Sequence, residues 1–109
     1  MSKVKKSKVK NLTATNFDAQ TSKGVVLVDF WAPWCGPCKI LGLVLEQLAE
    51  EIGDAATIAK VDIEKNKKLA EKFKVNTIPA IFIFKNGKVV NQMIDEKDKT
   101  TLINAIKDA

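Results

Sequence analysis

The stretch VVLVDFW, Val25 to Trp31, limits what this chain can fold into more than any other segment. Its β-branched and large apolar residues stand at consecutive positions. A strand with one wet face alternates apolar and polar residues, whereas a strand apolar on both faces is central and covered on both sides. The fold therefore needs a sheet with helices above and below it. Asp29 interrupts the run, and an unpaired buried charge is costly. It is either a solvent-facing acid near a strand end or a buried carboxyl with a raised pKa.

The flanking patterns supply the rest of the sheet and its cover. Lys8 to Leu12 suits a short first strand, and Thr15 is placed to cap a short helix through Phe17 and Ala19 that ends near Gly24. After the central strand, Leu41, Val44, Leu45, Leu48 and Ile52 recur at helical spacing from about Cys35 to Glu51. Glu46, Glu50 and Glu51 take the wet side, and Gly53-Asp54 ends the helix. TIAKVDI, Thr57 to Ile63, predicts a second buried strand, although Lys60 inside it is as odd as Asp29. Lys67 to Phe73 suits a short helix. AIFIF follows Pro79 as a third apolar strand, and Asn86-Gly87 is a strong hairpin signal leading into an edge-like strand, Lys88 to Ile94. Asp98 is placed to cap a last helix carrying Leu102, Ile103 and Ile106. The order β-α-β-α-β-α-β-β-α combines parallel strands joined by right-handed crossovers with one antiparallel hairpin. That is an α/β mixed sheet in a single domain, which 109 residues suffice to build.

The net charge of +5 belongs to one end of the chain. Lys3, Lys5, Lys6, Lys8 and Lys10 stand in the first ten residues with no acid, and the remaining 13 lysines balance 13 acids. No aromatic residue or arginine accompanies these lysines, so a solvated tail is preferred to a nucleic-acid or membrane tether. No apolar run follows the basic start, as a signal peptide would require, and none reaches the roughly 18 residues of a membrane helix. A cytoplasmic protein without nucleic-acid or membrane partners is expected.

Both cysteines, both tryptophans and two of the three prolines fall within WAPWCGPCK, Trp31 to Lys39. Cys35 closes the loop after the central strand and opens the long helix, where free N–H groups and the positive end of the dipole favour a thiolate. Cys38, three residues on, shares a face of the first turn with it, within disulfide range. Pro37 falls where its missing N–H has no helical partner. A closed zinc site needs four ligands, and the chain has two cysteines and no histidine. A haem attachment needs histidine where Lys39 stands. A Cys–His hydrolase lacks its base, and a structural staple over so short a loop gains little. In the reducing cytosol, dithiol–disulfide exchange is the reading that remains.

WAPWCGPCK, preceded by VLVDF and followed by TIPA and FKNG, resembles the thioredoxin family. The resemblance runs from about Lys8 to Ala109, which leaves residues 1–7 as a basic tail before a domain of residues 8–109. It implies the thioredoxin fold, a five-stranded mixed sheet flanked by four helices, and an activity that reduces protein disulfides. A lowered thiol pKa and a reducing poise are known properties of that family rather than inferences from this chain. The resemblance implies Cys35 as attacking thiolate and Cys38 as resolving thiol, with a redox-active Cys35–Cys38 disulfide. It places Asp29 as the acceptor of the Cys38 proton and Lys60 beside it, where the residue alone would equally read as a snorkelling surface lysine. Trp31, Trp34, Gly36, Pro37, Thr77, Ile78, Pro79 and Asp95 would form the substrate surface, with Pro79 in the cis form and the adjoining backbone open to an extended substrate. A separate thioredoxin reductase and a monomeric state are further implications. No glycine-rich dinucleotide motif is present, so no bound cofactor or metal is expected. The alternative is a binding role, with the domain serving as an assembly subunit.

Three positions depart from the family pattern. Leu43 stands where a proline often kinks the long helix, so this helix is expected to be straighter, although Gly42 could still permit a bend. Ala80 follows Pro79 where threonine is usual. Asp95, followed by Glu96, replaces a glycine of the substrate groove. Two acids there are expected to turn partner choice toward basic surfaces.

Overall fold

The structure, a computed structural model, describes residues 7–109. Lys3, Lys5 and Lys6 of the basic tail lie outside the described residues. The elements are β1 (Lys10–Asn11), α1 (Phe17–Thr21), β2 (Val25–Trp31), α2 (Gly36–Ile52), β3 (Thr57–Asp62), α3 (Lys67–Lys72), β4 (Ala80–Lys85), β5 (Lys88–Ile94) and α4 (Lys99–Lys107). The sheet order is β1-β3-β2-β4-β5. β1, β3 and β2 run parallel, and β4 is antiparallel to both of its neighbours. This is the expected five-stranded mixed sheet with four helices, and β2 is its central strand.

The two faces of the sheet separate by residue parity, as the pleat requires. Leu27, Ile58, Ile81 and Ile83 face Leu41, Leu45 and Leu48 of α2 and Leu102 and Ile106 of α4. Val26, Val28, Phe30, Ala59, Val61, Phe82 and Phe84 face the other way, where Phe17 and Leu69 cover them. All five phenylalanines of the chain lie on this second face, with neighbouring ring centroids 5.3–6.5 Å apart. Edge-to-face and tilted packing of this kind adds to the stabilisation from burial.

Some local expectations shift. β1 is only two residues long; Val9 and Leu12 on either side are buried in the core, and the Leu12 N–H still donates to Lys60 O at 2.9 Å. The residue before α1 is Asn16, not Thr15, and its side chain accepts from the Thr13 N–H at 2.8 Å. α2 runs unbroken from Gly36 to Ile52, past both Gly42 and Leu43. The Asn86-Gly87 turn takes positive φ at both residues, 50° and 86°. The Asn86 side chain accepts from the Gly24 N–H at 2.9 Å, which ties the hairpin to the start of β2.

Candidate active site

The loop from β2 to α2 is short because Cys35 both ends it and caps the helix. The Cys35 N–H donates to Ala32 O at 3.1 Å, and Cys35 keeps an extended backbone, φ −90° and ψ 110°. Its sulfur accepts the Cys38 N–H at 3.2 Å, satisfying one of the free donors of the first turn. Gly36 and Pro37 fill the first two helical positions, and proline forfeits nothing there. The Cα atoms of Cys35 and Cys38 are 5.2 Å apart, and their sulfurs form a disulfide. Both cysteines are buried, at 6% and 3% exposure. Ala32, Trp31, Ile63 and Ile78 pack around the bridge.

Parity settles the two alternatives for Asp29. It lies two residues beyond Leu27, so it faces α2 and not solvent. It is 1% exposed, and its Oδ1 has no hydrogen-bond partner. Burial pushes its carboxyl up to about pKa 7, and the positive charge of Lys60 opposes only part of that rise. Lys60 is its register partner on β3 and is half-buried. The Lys60 ammonium lies 4.9 Å from the centroid of the Trp31 ring, within cation–π range.

Asp29, Trp31, Cys38 and Lys60 line one cavity of about 280 Å³, whose lining is completed by Lys39, Gly42, Leu43 and Glu46. Sequence reasoning did not single out Gly42 and Glu46 as site residues. Their spacing carries the signal, because Cys38, Gly42 and Glu46 recur every four residues and so share a helix face. Glu46 also accepts from the Ser7 hydroxyl at 2.8 Å, which fastens the start of the described chain to α2.

The remaining candidates surround the disulfide. Trp34 is 65% exposed and stands outside the apolar cluster around the sulfurs. Gly36, Pro37 and Thr77 are exposed, Ile78 touches the cluster and Pro79 is buried. The Ile78–Pro79 bond is cis. Asp95 donates its N–H to Pro79 O at 2.9 Å, extending the β4–β5 ladder one step beyond the Ala80–Ile94 pair. Its carboxylate pairs with Lys97, a residue the sequence reading passed over.

A closed dithiol pair at a helix start, over a buried carboxyl, defines a thiol–disulfide exchange site. Comparison with known proteins identifies the lineage. The Thioredoxin family profile matches residues 8–108. The chain is 48% identical to the thioredoxin of Bacillus subtilis over 90 residues, 83% of this chain and 86% of that protein. It is 43% identical to the thioredoxin of Listeria monocytogenes over 98 residues, 90% of this chain and 95% of that one. The crystal structure of Malassezia sympodialis thioredoxin (Mala s 13) superposes with a TM-score of 0.84 at 31% identity, covering 99% of this chain and 96% of that one. The chain belongs to the thioredoxin family and is a protein-disulfide oxidoreductase with a redox-active Cys35–Cys38 pair.

Proposed function

We propose that the protein reduces disulfides of other proteins in the cytoplasm as a monomer, with residues 8–109 as its working domain and residues 1–7 as a basic tail. In the reduced form, Cys35 is the thiolate favoured by the α2 N-terminus. It attacks one sulfur of a substrate disulfide. That S–S bond breaks, a Cys35–substrate disulfide forms, and one substrate sulfur leaves as a thiolate. Cys38 then gives its proton to Asp29 and attacks the Cys35 sulfur. The second substrate sulfur leaves, both substrate thiolates take up protons, and Cys35–Cys38 is left oxidised. Two electrons have passed to the substrate. A separate thioredoxin reductase returns them to the cysteine pair.

The observation that carries this reading is the shared cavity. Cys38 opens onto the same space as Asp29, whose pKa of about 7 suits proton transfer near neutral pH. Lys60 stands beside Asp29 on the neighbouring strand, where its charge steadies the carboxylate once formed. Trp34, Gly36 and Pro37 offer a contact surface beside Cys35. Thr77 and Ile78 precede β4 and are not part of its ladder, which suits pairing with an extended substrate segment. Insulin reduction by dithiothreitol tests the cycle. The wild-type protein is expected to accelerate precipitation of the insulin B chain and Cys35→Ser is not; equal rates would overturn the reading.

A further inference from the structure

Asp95 occupies the rim of the site in a conformation that an ordinary side chain seldom adopts. Its φ is 57°, in the left-handed region that glycine enters freely and aspartate tolerates better than most residues. The hydrogen bond to Pro79 O fixes its backbone beside Pro79, and the preceding Ile78 packs against the cluster of Ala32, Cys35 and Cys38. The Asp95 backbone is therefore tied to the residue that follows Ile78 in the chain. Neighbouring acids are committed elsewhere. Glu96 Oε2 accepts the N–H groups of Lys97 and Asp98, each at 3.2 Å. Asp98 caps α4, accepting from the N–H and hydroxyl of Thr101. Asp95 alone of the three is paired through a long side chain: Lys97 Nζ reaches its Oδ1 at 2.6 Å and its carbonyl oxygen at 3.2 Å.

That pair is exposed, at 59% for the Asp95 side chain and 31% for Lys97. Ion pairs in such positions contribute little net stability and exchange readily with competing cations. An arginine fork can bind a carboxylate through two parallel hydrogen bonds, which an ammonium cannot. We propose that Asp95 is a specificity residue that selects disulfides flanked by a basic residue, with Lys97 holding its place until such a substrate arrives. The proposal rests on the substrate surface described above and assigns it a substrate class.

The test uses two disulfide-bonded peptides that differ only in carrying arginine or glutamate beside one half-cystine. The readout is the ratio of kcat/KM for the basic over the acidic peptide, measured both for reduction and for oxidation of the corresponding dithiol peptides. Asp95→Asn is expected to lower the ratio two- to five-fold, the range of one exposed ion pair. Lys97→Met is expected to raise it by a similar factor, because it frees the carboxylate, and 0.5 M salt should compress it toward one. A merely structural Asp95–Lys97 pair would not move the ratio in opposite directions. The same ratio in wild type, Asp95→Asn and Lys97→Met would overturn the proposal. Turnover only in the oxidising direction would overturn the reductive reading instead, while leaving the ratio measurable.

Discussion

Replacing Asp29 with asparagine should make the oxidised protein more stable at pH 8 and change how its stability depends on pH. The carboxyl is 1% exposed and its pKa is pushed up from 3.8 to about 7 by burial. An acid with a raised folded pKa holds its proton more tightly folded than unfolded. Its full contribution is present below about pH 4, where both states are protonated. It is lost as the pH rises through the window from about 4 to about 7, and the loss is complete above that. Each pH unit in the window costs the folded state about 1.4 kcal/mol, so about 4 kcal/mol is lost by pH 8. Asparagine stays neutral throughout and removes this slope. Urea unfolding with the disulfide intact, in steps from pH 4 to pH 9, measures it. With an m value of about 2 kcal/mol/M, the gap between the two proteins should widen by about 2 M in midpoint between pH 4 and pH 8. Asparagine has its own unmet hydrogen bonds in the cavity, which offset the two curves by a constant amount. The widening is therefore the test, and parallel curves for wild type and Asp29→Asn would refute a buried, proton-holding carboxyl.

Cys38→Ser should stall the cycle after the first exchange and accumulate a Cys35–substrate disulfide, detectable by mass under non-reducing conditions; absence of the adduct would argue against Cys35 as the attacking sulfur. Phe30→Ala removes a fully buried ring from the aromatic face and should cost about 3–5 kcal/mol in chemical denaturation, with a loss under 1 kcal/mol contradicting the packing described.

Much of the fold was legible because this chain reports burial directly. Consecutive apolar residues in β2, β3 and β4 marked strands covered on both faces, and Asn86-Gly87 marked β4 and β5 as antiparallel, whereas the antiparallel pairing of β2 with β4 has no local turn to signal it. The weakest element, β1, was overextended because Val9 and Leu12 are as apolar as strand residues yet serve as core plugs beside a two-residue ladder. The Thr15 cap of α1 did not form: Asn16 is the residue before the helix, and its side chain turns back to the Thr13 N–H and makes no capping bond to the helix. At the site, the cysteine pair was legible in full, since residues three apart at a helix start have one relative placement. The surroundings of Asp29 were not. Its burial depends on which face of β2 meets α2, a property of the assembled sheet. Nor did the sequence show how the two acids at residues 95 and 96 are engaged: Glu96 turns to its own backbone and Lys97 pairs with Asp95.

The same parity that buries Asp29 gives its burial a meaning in the proposed cycle. β2 alternates faces, and α2 crosses the face that carries Leu27 and Asp29, so the only acid in the strand lies beneath the helix that carries both sulfurs. The second sulfur, Cys38, is the more deeply buried of the two. A thiol there is largely screened from bulk water, and a thiolate left in that space would be poorly solvated and costly. An ordinary surface carboxylate, with a pKa near 4, would accept that proton poorly at neutral pH. Burial is what raises Asp29 into a useful range, and it is also what destabilises the folded chain once the carboxyl ionises. The stability lost above pH 4 and the capacity to take the Cys38 proton thus have one physical source. A substitution that relieves the first should slow the second, most strongly at the low-pH end of the neutral range, where the Cys38 proton is hardest to lose.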